Sequence, residues 1–403
     1  MDWDHVFASR AGRMKASEIR ELLKLLDQPD IISFAGGIPD PKLFPTQDFQ
    51  EAIGRVLSGP QQTAALQYSV SEGYLPLRQW IAGQMAALGI PCEAKHILIT
   101  SGSQQALDYL GKIFLSPGDT ALVNWPSYMG ALGAFNAYEP RYDRLVPNGN
   151  RSAAEYAEAA SEAGSRVKFA YASVDFANPT GETLNLDARN RLLDLAEALD
   201  IAVIEDAAYQ SLRYDGEALP PILALDIARH GDIENTRTLY CGSFSKTLAP
   251  GLRIGWVCAA TPVIEKLVLL KQAADLHSST LNQMAVYEVA KDGFTAQVAK
   301  IRAAYSARRD HMHRCLTAEM PSGVRWSKPE GGMFFWLTLP EGLDGAELLA
   351  ASLQTQRVAF VPGRAFFADG ATGNVLRLSF SQADEPTITE GIRRLGALIR
   401  AAI

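Results

Sequence analysis

An α/β architecture joined to a smaller α+β unit is predicted by three observations on this sequence. Between about Leu98 and Cys258, short apolar runs alternate with segments of helical periodicity, the pattern of a sheet layered between helices. After a polar helical stretch from about Phe294 to Met320, strand-like runs surround a single helix instead. The 403 residues also exceed what one hydrophobic core usually spans, which favours two units.

The elements follow in chain order. A helix is expected near Glu18 to Leu26, followed by Ser33-Phe34-Ala35-Gly36-Gly37. This first segment is too short to fold alone and is expected to pack on the smaller unit. The runs Ile97–Thr100, Ala121–Val123, Val167–Tyr171, Ile201–Ile204, Thr238–Tyr240 and Ile254–Val257 read as buried parallel strands. Asp187 to Leu199 carries Leu and Ala at three- and four-residue spacing and reads as a helix. Met333–Leu337, Val358–Val361 and Val375–Phe380 read as strands of the smaller unit, with a last helix starting near Glu385. The expected division is therefore 1–45 as an N-terminal arm, 46–300 as a large unit and 301–403 as a C-terminal small unit.

Bulk composition narrows the function classes. Hydrophobic residues make up 47% and charged residues 21%, as in ordinary globular proteins. A formal net charge of -7 without any Lys/Arg block disfavours nucleic-acid binding. The N-terminus lacks a basic stretch leading into an apolar one, and no apolar run is long enough to span a bilayer, so a cytoplasmic location is expected. Cys92, Cys241, Cys258 and Cys315 are scattered without metal or disulfide spacing and are expected to be reduced core residues. His311 and His313 are expected on a solvated helix face, and no metal site is expected.

The strongest chemical signal is Gly242-Ser243-Phe244-Ser245-Lys246-Thr247-Leu248-Ala249-Pro250-Gly251-Leu252-Arg253. A lysine on a loop after a buried strand, flanked by hydroxyls and followed by an arginine, can join an aldehyde while its neighbours hold a phosphate. Ser101-Gly102-Ser103-Gln104 follows a strand and opens a helix, where amides and the positive helix end suit a phosphate. Asp206 closes Ile201-Ala202-Val203-Ile204-Glu205, and a parallel strand delivers its last residue to a ligand crevice. Taken alone, Asp206 serves equally as a cap for the next helix.

These segments resemble, in order and spacing, the class I and II aminotransferases of pyridoxal 5′-phosphate (PLP) fold type I. The resemblance implies a large domain with a mostly parallel seven-stranded sheet between helices plus a smaller α+β domain. It also implies a PLP cofactor joined to Lys246 as a Schiff base, with Gly102, Ser103, Gln104, Ser243, Ser245 and Arg253 around its phosphate. Asp206 matches the partner of the pyridinium nitrogen. Asn178, in Asn178-Pro179-Thr180-Gly181, and Tyr209 match the partners of the phenolic oxygen, and Tyr128 matches the ring-stacking aromatic. Taken alone, Tyr128 reads better as a core tyrosine.

Within the family the chain looks most like the 2-aminoadipate and kynurenine/aminoadipate branch. Ala16-Ser17-Glu18-Ile19-Arg20-Glu21-Leu22-Leu23-Lys24, Ser33 to Pro39 and Ala65-Leu66-Gln67-Tyr68-Ser69 carry that likeness. It implies that Tyr68 reaches the phosphate in a neighbouring subunit, hence a homodimer with shared sites. It further implies that Arg377 takes the substrate α-carboxylate, with Asn178 and Gly37 nearby, and that Arg20 takes a distal carboxylate. Ala177, Asn124 and Ala207-Ala208 depart from the usual pattern without removing a cofactor contact.

Transamination between an α-amino acid (2-aminoadipate, glutamate, aromatic or aliphatic) and a 2-oxo acid such as 2-oxoglutarate is the leading expectation. A lyase, decarboxylase or oxidase on the same scaffold is the alternative within PLP chemistry. A PLP-binding regulator would require a winged helix-turn-helix ahead of the PLP region, where only a short arm precedes Gly36-Gly37.

Overall fold

The structure is a computed structural model that describes residues 3, 5–13, 30–146 and 149–403. Its strands are β1 (Ile32–Ser33), β2 (Ile97–Thr100), β3 (Thr120–Asn124), β4 (Arg141–Leu145), β5 (Val167–Ser173), β6 (Ala202–Asp206), β7 (Thr238–Ser243), β8 (Gly255–Cys258), β9 (Arg325–Trp326), β10 (Phe334–Thr338), β11 (Val358–Ala359), β12 (Val361–Pro362) and β13 (Val375–Ser379). Seven of them form one sheet in the order β2-β8-β7-β6-β5-β3-β4. Its central strands are buried along nearly their whole length because helices cover both faces, so they carry continuous apolar runs.

Two features of this sheet differ from the expectation. The run Ile254–Val257 was expected to be parallel, but β8 is antiparallel to both β7 and β2. The connection from β7 to β8 spans residues 244–254 and holds only the turn Pro250–Leu252, too short for the helical crossover that a parallel return needs. The added edge strand β4 reads Arg-Tyr-Asp-Arg-Leu and is largely solvent-facing. Its charges suit an exposed edge and hide it from a search for apolar runs.

The smaller sheet is antiparallel, in the order β12-β13-β10-β9, and packs with the helices Gly345–Thr355 and Glu385–Ala402. The single strand expected over Val358–Val361 is split at the fully buried Phe360. On one side β11 pairs in parallel with β1 of the N-terminal segment, and on the other β12 joins β13. The Ser379 amide donates to the Phe34 carbonyl at 2.8 Å, which lays residues 32–35 against the strand that carries Arg377. The helix expected over Glu18 to Leu26 lies outside the described residues.

One helix of 40 residues, Thr280–Glu319, runs through the expected boundary at 300/301 without interruption. Its first half packs Ala285, Val286, Val289 and Ala290 into a core of the large unit. Its second half packs Ile301, Tyr305, Met312 and Leu316 into the core of the small one. We therefore place the passage between units along this helix rather than at a linker. His311 and His313, expected on a solvated face, are half-buried. The His313 ring stacks on Phe335 and accepts from Trp326 Nε1 at 3.3 Å, while His311 Nε2 meets Thr389 Oγ1 at 2.8 Å. Cys241 and Cys258 are buried, Cys92 and Cys315 half-buried, and all four are free thiols.

The loop after β5 is anchored by Arg189, whose fully buried guanidinium pairs with Asp175 at 2.7 Å and also donates to the carbonyls of Leu184 and Pro220. Asp175 also accepts from Arg213 Nη2 at 3.1 Å, so loss of Arg189 removes one of two cations on a buried carboxylate and leaves the Leu184 and Pro220 carbonyls without their donor. Arg189→Met should therefore cost about 3 kcal/mol in denaturant unfolding of the cofactor-free protein. Arg144→Met, which breaks the exposed pair with Asp369, should cost less than about 1 kcal/mol. Equal costs would contradict this assignment of the anchor.

Candidate active site

Strand direction decides what gathers at the carboxyl edge of the large sheet. β6 ends in Asp206 and β7 in Ser243, while the loops after β3, β5 and β7 carry Tyr128, Asn178 and Lys246. Alternation along β6 turns adjacent acids to opposite faces. Glu205 accepts the amides of Ile222 and Leu223 at 2.8 and 3.0 Å, and burial pushes its carboxyl up to about 7. Asp206 faces the site.

Lys246 is half-buried, and its Nζ donates to the Gly37 carbonyl at 3.1 Å. A Cβ at Gly37 would fall 2.8 Å from Cζ of Phe334, so a side chain there would force this segment off the lysine. Desolvation lowers the Lys246 amine from 10.5 to about 8; the charges of Arg377 and Arg253 act in the same direction, and Asp206 opposes them. At pH 7 about a tenth of such an amine is neutral, against less than about one part in a thousand for an ordinary lysine.

Asp206 is buried, and its Oδ2 accepts the Tyr171 hydroxyl at 2.7 Å while Oδ1 takes the Ala208 amide at 3.4 Å. Burial raises its pKa; the Tyr171 hydrogen bond, the Ala208 amide and Lys246 pull it back. Tyr209 packs edge-on against Phe334 with ring centroids 5.7 Å apart, and its phenol lies within hydrogen-bonding reach of Asn178. Desolvation raises the Tyr209 pKa, with Tyr128 the next contributor.

Arg377 is 2% exposed and has no carboxylate partner among the described residues. Its Nη1 donates to Asn178 Oδ1 at 2.6 Å and its Nη2 to the Ala35 carbonyl at 2.8 Å, while Nε is buried without a partner. The guanidinium lies 4.2 Å from the Phe334 ring centroid, and burial pulls its pKa down to about 10. A buried cation with an unused donor is poised for a planar anion.

A second cluster forms where the 12-residue helix Ser103–Phe114 begins. Gly102 has φ +79°, and a Cβ there would sit 2.2 Å from Arg253 Nη2, so the guanidinium rests directly on the glycine. Arg253 is exposed, donates only to the Pro250 and Ser101 carbonyls, and is paired with no carboxylate among the described residues. Ser243 Oγ accepts the Ser245 amide at 3.1 Å. Free helix amides, two hydroxyls and an uncommitted guanidinium make a donor set suited to a phosphate dianion. Together with the enclosed amine and carboxylate of Lys246 and Asp206, this set fits PLP.

Most of the expected residues therefore converge. Lys246, Asp206, Tyr209, Asn178, Arg377 and Gly37 form one cluster, and Gly102, Ser103, Ser243, Ser245 and Arg253 form the adjoining one. Tyr128 borders the first, where its phenol acts electrostatically on Tyr209 and Arg377. The Gln104 side chain turns away to the Gly130 carbonyl at 2.6 Å, leaving only its amide at the helix start. Tyr68 stands outside on the surface, 78% exposed, with its ring edge-on to His277. Arg20 lies outside the described residues. Among the described residues, no group of three or more His, Cys, Asp or Glu could hold a metal ion.

Three supporting features escape a reading of the sequence. Tyr171 reads there only as part of a strand, and Phe334 only as an apolar strand residue. Asp275 gathers Lys271 Nζ at 3.0 Å, Gln105 Nε2 at 2.8 Å and Ser101 Oγ at 3.3 Å, which fixes the turn before the phosphate-type helix start. An i,i+4 Lys-Asp pair near a helix end, Lys271 and Asp275, was the available signal.

A sequence profile described as aminotransferase class I and II matches residues 38–395. The whole chain is 43% identical to 2-aminoadipate transaminase of Thermus thermophilus, covering 98% of that protein. It is 42% identical to aromatic-amino-acid aminotransferase 1 of Thermococcus litoralis, over 99% of this chain and 95% of that one. The solved structure of α-aminoadipate aminotransferase from Thermus thermophilus, complexed with N-(5′-phosphopyridoxyl)-L-leucine, matches with a TM-score of 0.89 at 41% identity, covering 100% of this chain and 99% of that one.

Borohydride reduction in the presence of PLP should leave a pyridoxyl label on Lys246 and none on the Lys246→Ala protein, as read by peptide mass spectrometry. Uptake of PLP by the apoprotein should accelerate as pH rises through about 8, where this amine loses its proton. A label on another lysine would remove Lys246 from the centre of the site.

Proposed function

The chain belongs to the class I and II aminotransferases, and from that premise we propose that it exchanges amino groups between 2-oxoglutarate and α-amino acids with either acidic or large apolar side chains. It is a PLP-dependent transaminase. Bound PLP supplies an electron sink for the bond broken at the substrate α-carbon. In this reading Asp206 holds the ring nitrogen and Asn178 with Tyr209 the phenolic oxygen. Tyr128 covers the ring. The hydroxyls of Ser103, Ser243 and Ser245, the Arg253 guanidinium and the amides of Ser103 and Gln104 hold the phosphate, while the Gly102 amide is taken by the Thr100 carbonyl at 2.8 Å and Gly102 serves by letting Arg253 approach.

The observation that carries the reading is Arg377, a buried guanidinium with an orphaned Nε and no carboxylate partner among the described residues. A substrate α-carboxylate supplies the missing charge, and only a planar two-pronged cation meets it squarely. With that carboxylate held, Lys246 Nζ takes the proton from the α-carbon as base and returns one as acid. Its lowered pKa supports both roles near neutral pH. The resemblance assigns the distal carboxylate of acidic donors to Arg20. The pairing of a 2-aminoadipate transaminase with an aromatic-amino-acid aminotransferase among similar proteins supports such dual acceptance.

The same reading includes a homodimer in which Tyr68 completes the phosphate site of the partner subunit. Leu66, Tyr68 and Val70 are 74%, 78% and 59% exposed, an apolar stretch that a monomer would leave in water. The free thiols fit the reducing cytoplasm.

Two outcomes are expected. Asp206→Asn should retain PLP yet lose about a hundredfold or more in turnover, because a neutral partner no longer stabilises positive charge on the ring; wild-type turnover would remove Asp206 from this role. Across a panel of donors, Arg377→Ala should lower kcat/KM for every α-amino acid by about a hundredfold, whereas Arg20→Ala should selectively impair acidic ones. Equal losses for acidic and neutral donors in the Arg20 variant would overturn the specificity reading and leave the aminotransferase activity in place.

A further inference from the structure

We infer that Tyr171 is a positioning residue for cofactor binding, acting through Asp206: its hydroxyl holds the Asp206 carboxylate charged and aimed at the ring nitrogen. This rests on the reading of Asp206 above. Tyr171 lies on β5, one strand away from β6 and in register with Ile204, two residues before Asp206. Its ring is fully buried among Phe135, Phe169, Leu239 and Cys241 and meets Phe135 edge-on with centroids 5.6 Å apart. The hydroxyl makes one hydrogen bond among the described residues, the 2.7 Å contact to Asp206 Oδ2.

A phenol in an aromatic cluster needs a partner for its hydroxyl, and a buried carboxylate needs donors. Here each supplies the other. The alternative donor to Asp206, the Ala208 amide, stands at a long 3.4 Å, so Tyr171 is the strong one. Other titratable groups on the pocket side are Lys246, Tyr209 and Tyr128, and Cys241 lies beside it on β7. Burial raises the Tyr171 pKa far above the physiological range, so the hydroxyl remains a donor and never competes as an anion. Without it, Asp206 would keep the weak Ala208 amide as its one hydrogen-bond donor among the described residues, with Lys246 as the remaining charge that favours its ionised form. Its hold on a proton would tighten and its value as a counter-charge to a protonated pyridine would fall.

Tyr171→Phe tests this because phenylalanine keeps the ring and its packing. Apoprotein is titrated at equilibrium, by quenching of intrinsic fluorescence, with PLP and with its 1-deaza analogue, in which carbon replaces the ring nitrogen. The preference for PLP over the analogue should fall by about tenfold in Tyr171→Phe, the scale of a hydrogen bond to a charged group. Affinity for the analogue should change by less than about twofold, and adding Tyr171→Phe to Asp206→Asn should remove nothing further. Equal weakening toward both ligands would make Tyr171 merely structural and overturn the inference, as would an unchanged preference. A nitrogen-dependent loss in Asp206→Asn alone overturns only the role of Tyr171. An unchanged preference in both single variants overturns the reading of Asp206 as well.

Discussion

Arg377 carries its positive charge at 2% exposure with no carboxylate in reach among the described residues, and much of the surrounding structure serves to hold it there. Burying an ion without a counter-ion is costly. The chain limits that cost with the Asn178 and Ala35 oxygens and the face of Phe334, contributions from a loop of the large unit, the N-terminal segment and the small sheet. The two-residue ladder between β1 and β11 and the hydrogen bond from the Ser379 amide to the Phe34 carbonyl join the N-terminal segment to the small unit, and Arg377 itself, through Asn178, ties them to the loop of the large unit. The site is thus assembled across both units, and it leaves unmet the charge that the proposed reading assigns to a substrate carboxylate.

The same economy governs the lysine. Buried Arg377 and the exposed Arg253 at the edge of the site are like charges to Lys246, with Asp206 as the opposing one. Desolvation and repulsion together favour the neutral amine, which is the nucleophilic and basic form. Asp206 in turn depends on Tyr171 for its own charge. Each polar group in the cluster is therefore tuned by a neighbour from a different strand or loop. That arrangement follows from the parallel sheet, which delivers the ends of β5, β6 and β7 to one edge.

What was legible in the sequence was local. The loop from Gly242 to Arg253 and the glycine before the helix at Ser103 announce their chemistry within a dozen residues, and the apolar central strands announce theirs by composition. Charged β4 was invisible because edge strands need no apolar run, and the direction of β8 depended on connection length rather than on its own residues. The long helix through 300/301 hid the unit boundary because its two halves serve different cores. Tyr171 was beyond reach because its role depends on register across β5 and β6, which no local pattern encodes. The partnership of Arg377 with Asn178 spans 199 positions, and only the family resemblance joined them beforehand.

The central claim is that this enclosure transfers an amino group intact rather than releasing it. The most direct measurement supplies a donor labelled with nitrogen-15 at the α-amino group together with unlabelled 2-oxoglutarate, and follows the label by mass spectrometry. Transamination predicts nitrogen-15 glutamate in one-to-one ratio with the 2-oxo acid formed from the donor, and no labelled ammonia. Label appearing as ammonia, or in an amine that has lost its carboxylate, would contradict the account and assign the site to a different reaction.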